Sequence, residues 1–275
     1  MVTNGTILNT TKPVLRWAGG KKWLVSRISE FIPKNYNRYF EPFLGGASVY
    51  LNANTTNKKA FLSDVNSELI EFYTQLKENP KAILNELERY KNEEDFFYHI
   101  REQVPQVPIE RAARFFYLNR TCFNGLYRVN QAGKFNVPYG YRSIKVVEKD
   151  ALINLSLKLS NAQLKCQDFR KILKVVRRQD FVFLDPPYTV AHNNNGFIEY
   201  NQKIFSWDDQ ERLAEFVEKL IAKKVYFLMT NACHESIKNL YKGIGKHFEI
   251  DRFSTISGQS KSRARISELV ITNCL

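Results

Sequence analysis

The sequence contains few of the residues that form disulfides or bind metal ions. Its 275 residues include only four cysteines and four histidines, with no CxxC pair and no HExxH spacing. Cys122, Cys166, Cys233 and Cys274 lie far apart, so we expect four buried or partly buried thiols, no disulfide and no metal. No stretch of about 18 apolar residues predicts a membrane span, and the polar start lacks the apolar segment of a signal peptide. These absences predict a cytoplasmic protein.

Acidic residues are also scarce. The 28 Asp and Glu residues stand against 41 Lys and Arg residues, which leaves a formal net charge of +13. Such an excess favours a polyanionic partner, because basic side chains bind phosphates and release their counterions. A membrane surface is the alternative, but no basic amphipathic helix stands out in the sequence. With 44% hydrophobic residues, the chain can bury a core without cross-links.

Strand-like and helical patterns alternate at both ends of the chain. Five apolar runs predict strands, at 39–40, 60–62, 180–184, 225–229 and 268–272. Apolar spacing predicts a helix at 66–77 and further helices throughout 80–120. Another helix follows a capping box at Ser206 and Asp209, and its apolar face consists of Leu213, Phe216, Val217, Leu220 and Ile221. This order predicts a doubly wound α/β domain that is interrupted by an insertion.

A glycine-rich turn follows the first predicted strand, in the stretch Phe40-Glu41-Pro42-Phe43-Leu44-Gly45-Gly46. Glycines at this position let the backbone approach a ligand closely. Asp64 ends the next strand about 20 residues on, where a carboxylate can accept hydrogen bonds from ribose hydroxyls. The structural alternative for Asp64 is a cap on the following helix. Because the motif GxGxxG is absent, the pattern argues against NAD and indicates another nucleoside cofactor.

The tetrad Asp185-Pro186-Pro187-Tyr188 directly follows the predicted strand at 180–184. Two prolines end the strand and favour an extended turn, so the Asp185 carboxylate and the Pro186 carbonyl can face the carboxyl edge of the sheet. These two acceptors match the two hydrogens of an exocyclic amine. Tyr188 is placed to stack on a base that has been flipped out of a duplex. The structural alternative is a strand-ending turn with a surface tyrosine.

Two basic segments complete the motifs. The loop Trp17-Ala18-Gly19-Gly20-Lys21-Lys22 combines glycines with lysines that can hold carboxylate or phosphate groups. Turn signals at Asn124-Gly125 and Ala132-Gly133 predict a β-hairpin over 123–138. Basic and aromatic residues interleave there: Arg120, Phe123, Tyr127, Arg128, Lys134, Phe135, Tyr139, Arg142 and Lys145. Such a hairpin can hold guanine and phosphates, with Leu126 or an aromatic ring as a wedge in a base step; a solvated hairpin packed on the helices is the alternative.

These motifs together resemble a known family. WAGGK, FEPFLGG, SDVNSELI, NRTCFNGLYRVN, GKFNVPYG, FLDPPY and RISELVITN stand in the order found in the Dam-type (D12 class, α-group) DNA adenine-N6 methyltransferases, and they span 14–273. The resemblance implies a Rossmann-like α/β methyltransferase domain with an inserted helical and β-hairpin target-recognition domain. We assign 1–73 and 149–275 to the catalytic domain and 74–148 to target recognition.

By matched position, the resemblance also implies site residues. The catalytic residues are Asp185, Pro186, Pro187 and Tyr188. The contacts to S-adenosylmethionine are Trp17, Ala18, Gly19, Lys21, Glu41, Phe43, Gly45, Asp64, Asp168, Phe169 and Asp185. The contacts to DNA are Arg120, Phe123 as the wedge, Asn124, Leu126, Arg128, Pro138, Tyr139 and Arg142. Residues 260–263 resemble a basic loop near DNA, whereas the Asn-rich segment 189–203 and the LGGAS form of the glycine motif depart from the family pattern.

The implied function is methyl transfer from S-adenosylmethionine to N6 of a flipped adenine in double-stranded DNA. The stretch NGLYRVN resembles enzymes that read GATC, with Arg128 on the guanine. The enzyme is expected to be a monomer, and a cognate restriction endonuclease is a candidate partner. The alternatives are methylation of cytosine N4, of an RNA adenine or of a glutamine amide, and a catalytically inactive DNA-binding homologue. The Asp at the head of the tetrad favours adenine, and the intact motifs argue against an inactive protein.

Overall fold

The computed structural model describes residues 12–25, 27–130, 132–142, 146–189, 205–253 and 265–275. Its strands are β1 (Tyr39–Glu41), β2 (Ala60–Asp64), β3 (Ala162–Cys166), β4 (Phe181–Leu184), β5 (Tyr226–Ala232), β6 (Lys246–Phe253) and β7 (Arg265–Thr272). Its α-helices are α1 (Lys22–Val25), α2 (Ser48–Asn52), α3 (Ser67–Glu78), α4 (Pro80–Glu88), α5 (Glu94–Glu102), α6 (Pro108–Thr121), α7 (Lys149–Leu159), α8 (Trp207–Ala222) and α9 (Glu235–Leu240). Three short 3₁₀ helices lie at Ile28–Glu30, Phe123–Gly125 and Phe169–Lys174.

The strands described form one seven-stranded sheet in the order β3-β2-β1-β4-β5-β7-β6. β1 pairs in parallel with β2 and with β4, and β4 pairs in parallel with β5. β7 runs antiparallel to both β5 and β6. Because parallel strands end at one edge of a sheet, the residues after β1, β2 and β4 lie along a common carboxyl edge. The sheet confirms the predicted Rossmann-like α/β fold.

The five predicted strands all occur, with ends shifted by a few residues, as β1, β2, β4, β5 and β7. The predicted helix at 66–77 is α3, and the predicted helical stretch 80–120 contains α4, α5 and α6. Asn66 is the N-cap of α3, because its Oδ1 accepts a hydrogen bond from the Leu69 amide at 3.0 Å. Asp64 is therefore not the cap, and the structural alternative for that carboxylate does not apply.

Helix α8 starts at the predicted capping box. The Ser206 Oγ accepts from the Asp209 amide at 3.2 Å, and the Asp209 carboxylate accepts from the Ser206 amide at 2.9 Å. Four of the five predicted face residues are buried, whereas Ile221 is 38% exposed. Ile221 lies about 90° round the helix from the centre of the apolar face, so the prediction was wrong for this border position.

The chain divides into two compact units. The first comprises Met1–Ile28, Gly45–Asn54 and Asn66–Leu164, and the second comprises Ser29–Leu44, Thr55–Val65 and Lys165–Leu275. An aromatic core fills the first unit, with buried rings at Phe72, Tyr73, Phe97, Phe115, Phe116 and Tyr117. The second unit packs its sheet against α8, α9 and the 3₁₀ helix Phe169–Lys174. The predicted insertion 74–148 lies wholly within the first unit, and its assignment to target recognition stays a prediction.

The predicted β-hairpin takes a reduced form. Isolated antiparallel bridges join Cys122 to Tyr139 and Val129 to Phe135, and no regular strand forms among the described residues of this segment. Asn124 and Gly125 have φ values of 55° and 65° within the 3₁₀ helix Phe123–Gly125, so the chain leaves the extended conformation directly after Cys122. The turn at Asn124-Gly125 was thus predicted correctly, but the antiparallel pairing is shorter than the predicted hairpin.

Two strands were not predicted, β3 and β6. β6 is an outer strand of the sheet, and its sequence KHFEIDRF mixes charged with apolar residues. β3 is the other outer strand, and most of its residues are exposed or half-buried. Outer strands bury little apolar surface, so their periodicity is weak in the sequence.

The four cysteines are free thiols. Cys122 is buried, and its burial raises the pKa of the thiol to about 12. Cys166 is exposed, so the expectation of buried or partly buried thiols was wrong for this residue, which follows from its place on the outer strand β3. Within the described ranges, no helix combines the length and apolar character needed to cross a membrane.

Candidate active site

Three carboxylates of the second unit follow neighbouring parallel strands. Glu41 ends β1, Asp64 ends β2 and Asp185 comes directly after β4. Glu41 is buried and accepts a hydrogen bond from the Tyr39 hydroxyl at 2.6 Å, whereas Asp64 and Asp185 are half-buried. The carboxyl edge of the sheet, where α/β folds bind ligands, is therefore lined with acceptors. Among the described residues, no group of three or more His, Cys, Asp or Glu side chains is arranged to hold a metal ion.

The Asp185 carboxylate has a partner on the adjacent strand. Its Oδ1 accepts a hydrogen bond from the Thr230 hydroxyl at 2.8 Å. Thr230 lies in β5 and is fully buried. Pro186 is buried and Pro187 is half-buried, which agrees with a turn that leaves a central strand. The proline turn thus fixes the backbone beside Asp185, and the buried Thr230 hydroxyl holds its carboxylate by a hydrogen bond.

The Tyr188 side chain also forms a hydrogen bond with a buried residue of the sheet. Its hydroxyl donates a hydrogen bond to Oε2 of Glu268 at 2.7 Å. Glu268 lies in β7, is only 1% exposed and pairs in register with Ala232 of β5. A buried carboxylate is costly unless it accepts hydrogen bonds, so the contact with Tyr188 offsets part of that cost.

Asp168 is engaged by arginines of the second unit. Its Oδ1 accepts from the Arg170 amide at 3.0 Å, and its carboxylate pairs with Arg170 Nε and Arg212 Nη2, each at 2.9 Å. Burial works to raise the pKa of Asp168, but the hydrogen bonds and charges of the two arginines outweigh it and hold the pKa below its usual value. The Gln167 amide donates to the Asp64 carbonyl at 3.0 Å, so this segment adjoins the end of β2.

Phe169 is part of the core of the second unit. It is buried and stacks on Phe43 with ring centroids 5.3 Å apart. Phe216 of α8 meets it edge-on at 5.2 Å. Phe43 and Phe169, two predicted cofactor residues, are therefore brought together, and their contact with a cofactor stays a prediction.

The glycine motif admits the ring of Trp17 in the first unit. A Cβ on Gly45 would lie 2.8 Å from the indole Cδ1 and Nε1, and one on Gly46 would lie 3.0 Å from the Trp17 Cβ. Gly45 also has a φ of 45°, a backbone conformation that residues other than glycine rarely adopt. Trp17 stacks on Tyr127 with centroids 5.9 Å apart and lies 6.5 Å from Phe115. The glycines thus serve the packing of Trp17.

Lys21 is a buried cation in the first unit. It is 2% exposed, and its Nζ donates to the Gly19 carbonyl at 2.7 Å. Its amide donates to the Ser48 Oγ at the start of α2, at 3.2 Å. Ala18 and Gly19 are exposed. The loop is therefore held by Lys21 on its inner side and is open to solvent at the glycine.

Asn119 joins two segments of the first unit that are far apart in sequence. Its Oδ1 accepts from the Arg16 amide at 2.8 Å, and its Nδ2 donates to the carbonyls of Arg16 at 2.7 Å and Gly125 at 3.4 Å. Asn119 is fully buried. A Cβ on Gly125 would lie 2.3 Å from the Arg16 Cβ, so the two segments are in close contact. One amide side chain therefore holds the turn at Asn124-Gly125 against Arg16, the residue before Trp17.

Most of the predicted DNA contacts are accessible. Five of them are exposed: Phe123, Asn124, Arg128, Pro138 and Arg142. Phe123, the predicted wedge, is 51% exposed. Arg142 Nη2 donates to Asn124 Oδ1, and Arg128 Nε donates to Asn136 Oδ1, each at 3.0 Å. Each of these two arginine side chains is thus held by a hydrogen bond to an asparagine of the same segment.

Two of the predicted DNA contacts are turned inward. Arg120 Nη2 donates to Glu148 Oε1 at 2.9 Å, and the Arg120 side chain is only 15% exposed. Tyr139 is buried, its hydroxyl donates to the Asn92 carbonyl at 3.0 Å, and burial raises its pKa. Leu126 is half-buried. These residues support the turn, and direct contact with DNA stays a prediction for them.

Three arginines concentrate positive charge in the first unit. Burial lowers the pKa of Arg16, and the nearby charges of Arg142 and Arg120 lower it further. Like charges held together favour an anionic partner. Lys145 and the basic stretch 260–263 lie outside the described residues, and so does the Asn-rich stretch 190–203.

Sequence reasoning missed three residues of these networks: Asn119, Thr230 and Glu268. Asn119 and Glu268 stand inside stretches already used for the resemblance, NRTC and SELVITN, whereas Thr230 directly follows the predicted strand at 225–229. A polar residue at the border of an apolar strand pattern was the available signal for Thr230 and Glu268. The partner of each residue is far away in sequence, so the pattern alone could not name it.

Replacing Asn119 by alanine is expected to lower the free energy of unfolding by about 1–3 kcal/mol, because the amide and carbonyl of Arg16 lose their buried partner. Denaturant unfolding of the variant measures this change. Asn161→Ala is the matched control, since Asn161 is exposed in the same unit. Equal stability of the two variants would contradict the role given to Asn119.

Comparison with known proteins assigns the family. The family described as D12 class N6 adenine-specific DNA methyltransferase matches residues 17–256. The type II methyltransferase M1.LlaDCHI of Lactococcus lactis subsp. cremoris is 36% identical over 273 residues, which cover 95% of either chain. The type II methyltransferase M.MjaIII of Methanocaldococcus jannaschii is 35% identical, covering 95% of this chain and 99% of its own. A DNA adenine methylase of Haemophilus influenzae is 30% identical, covering 94% and 92%. The chain therefore belongs to the D12 class of N6 adenine-specific DNA methyltransferases.

Proposed function

We propose that the enzyme transfers a methyl group from S-adenosylmethionine to N6 of an adenine that is flipped out of a short duplex site, with GATC as the expected sequence. The observation that carries this proposal is the half-buried Asp185 carboxylate, which directly follows β4 at the carboxyl edge and accepts a hydrogen bond from Thr230. A fixed acceptor at this edge is what a bound exocyclic amine requires.

The chemistry of the edge fits the cofactor. When bound, S-adenosylmethionine supplies a methyl group activated by a sulfonium. The molecule also carries an ammonium group and ribose hydroxyls, which carboxylates such as Glu41, Asp64 and Asp185 attract or bind. Asp64 is proposed to accept from the ribose hydroxyls, with Asp168, Phe169 and Phe43 nearby in the second unit. Trp17, Ala18, Gly19, Lys21 and Gly45 of the first unit are proposed contacts by family resemblance.

The tetrad is proposed to act on N6 by hydrogen bonding. The N6 lone pair is conjugated with the purine ring, which makes it a poor nucleophile. Asp185 and the Pro186 carbonyl accept the two N6 hydrogens, draw the amine towards tetrahedral geometry and free its lone pair for in-line attack. Tyr188 stacks on the flipped base. Positioning and preorganised charge thus supply the acceleration, without a covalent enzyme intermediate.

The exposed turn of the first unit is proposed to read DNA. Phe123 is the proposed wedge, Arg128 holds guanine, and Asn124, Leu126, Pro138 and Arg142 meet the site around it. Arg120 and Tyr139 hold the turn from within. The net charge of +13 supports phosphate contacts outside the recognised bases.

Further proposals concern the setting of the enzyme. It acts as a monomer in the cytoplasm, and the type II names of two relatives support a place in a restriction-modification system beside a cognate endonuclease. Cytosine N4 and RNA adenine remain the alternative acceptors. Transfer of a radiolabelled methyl group separates DNA from RNA and protein as acceptors, and nucleoside analysis of the labelled DNA separates cytosine N4 from adenine N6.

Expression in a host without adenine methylation tests the function as a whole. Single-molecule sequencing of the host DNA is expected to find N6-methyladenine at one short site, with GATC predicted. Calorimetry with S-adenosylmethionine is expected to show binding. Methylcytosine instead of methyladenine would replace the proposed acceptor, a different motif would overturn GATC alone, and an unmethylated genome together with absent cofactor binding would point to the inactive homologue.

A further inference from the structure

Two polar side chains of the adjacent strands β5 and β7 are buried in the sheet. Thr230 of β5 is fully buried, and Glu268 of β7 is 1% exposed. In the antiparallel register Thr230 lies opposite Val270, and Glu268 lies opposite Ala232. Residues two apart on a strand share a face, and so do cross-strand partners, so Thr230 and Glu268 are diagonal neighbours on one face of the sheet.

Both side chains bind the tetrad. The Thr230 hydroxyl donates to Asp185 Oδ1 at 2.8 Å, and the Tyr188 hydroxyl donates to Glu268 Oε2 at 2.7 Å. Packing alone would favour apolar residues here, as at the buried neighbours Leu228, Leu269 and Val270. A hydroxyl and a carboxylate at such positions lower stability unless their hydrogen bonds are made.

The tetrad needs such contacts because its prolines restrain only the backbone. The side-chain torsions of Asp185 and Tyr188 stay free to rotate unless something beyond the loop holds them. A catalytic acceptor that is displaced by about 1 Å loses much of its effect on the rate. The rigid pair of strands β5 and β7 offers the fixed frame that the loop lacks.

We propose that Thr230 and Glu268 are positioning residues: Thr230 fixes the carboxylate of Asp185 that receives the amine, and Glu268 fixes the ring of Tyr188 that stacks on the base. This inference rests on the proposed function of the tetrad. Neither residue touches substrate, and each acts through the tetrad side chain that it holds.

The Thr230 arm uses an isosteric substitution. Thr230→Val keeps the shape and removes the donor, and kcat is expected to fall about 10- to 100-fold, as for the loss of a hydrogen bond to a charged group. The acid limb of the kcat–pH profile is expected to move to higher pH, because a carboxylate that loses a donor takes up a proton more readily. Thr230→Ser, which keeps the hydroxyl, restores most of the rate.

Thr272→Val is the matched control for this arm. Thr272 is also a fully buried threonine of the same sheet, and its hydroxyl donates to the Phe227 carbonyl at 2.6 Å, away from the tetrad. Its loss is expected to lower the melting temperature and to leave kcat and the pH profile unchanged. A purely structural role of Thr230 predicts the same behaviour for both valine variants.

Variants of Glu268 test whether the ring of Tyr188 stacks on the target base. Glu268→Met removes the acceptor at similar size, and Glu268→Gln keeps an oxygen that accepts from Tyr188. With 2-aminopurine at the target position, Glu268→Met is expected to reduce the fluorescence change that accompanies base stacking and to lower kcat, whereas Glu268→Gln stays closer to the wild type. Cofactor affinity, measured by calorimetry, is expected to be equal in all three proteins.

The outcomes separate the two levels of inference. If the wild type transfers no methyl group to adenine, the proposed function is contradicted. If the wild type is active and the folded Thr230→Val and Glu268→Met variants keep its kcat, its pH profile and its stacking signal, only the positioning role is overturned. If Thr230→Val does not fold, Thr230→Ala, which also lacks the donor, decides the question with the same readouts.

Discussion

Replacement of Asp185 by alanine is expected to slow methyl transfer by about 10²- to 10³-fold or more, a barrier increase of about 2.7–4 kcal/mol. The carboxylate is the proposed acceptor of the amine, and the Thr230 hydroxyl donates a hydrogen bond to it at 2.8 Å. In the proposed mechanism, alanine leaves N6 with the Pro186 carbonyl as its remaining partner in the tetrad. The lone pair then stays conjugated with the ring, so the loss falls mainly on kcat.

Single-turnover transfer of a radiolabelled methyl group to duplex DNA measures the effect. Circular dichroism reports the fold of the variant. Asp208→Ala is the matched control, because Asp208 is an exposed aspartate in the first turn of α8 and is expected to leave turnover unchanged. Turnover near the wild-type rate in a folded Asp185→Ala protein would remove Asp185 from the active site.

Replacement of Asp180 by alanine is expected to destabilise the protein by about 3 kcal/mol, at the lower end of the range for breaking a buried ion pair. Asp180 is 1% exposed, and its carboxylate accepts hydrogen bonds from Arg38 Nε at 3.0 Å and from Arg38 Nη2 at 2.5 Å. It also accepts from the Arg177 amide at 2.7 Å. The lower end applies because Arg38 keeps 24% of its side chain exposed, so water can solvate it after its partner is lost.

The pair stands directly before two strands that lead to the site. Arg38 precedes β1, which ends in Glu41, and Asp180 precedes β4, which ends before Asp185. Urea unfolding followed by tryptophan fluorescence measures the loss of stability, with Asp208→Ala again as the exposed control. A change below about 1 kcal/mol, the range of exposed ion pairs, would show that the pair contributes no more than a surface contact.

The predicted site depended on short motifs whose geometry is largely local. An apolar run followed by Asp185-Pro186-Pro187 predicts a strand and its end, because apolar burial and proline sterics act within a few residues. The capping box at Ser206 is local in the same way, and the structure confirms it. Gly45 was predicted to let the backbone approach a ligand, and the structure shows the ring of Trp17 packed against this glycine.

What the amino-acid sequence by itself determined is therefore the α/β class, the inner strands, the tetrad at a strand end and the family. The tertiary structure decided which side chains meet. Thr230 reaches Asp185 and Glu268 reaches Tyr188 because strand order and register put β5 beside β4 and β7 beside β5. The pairing of Arg120 with Glu148 likewise joins two residues that are 28 positions apart. Local patterns carry no information on such pairings, since contacts between distant residues are set by the packing of whole elements.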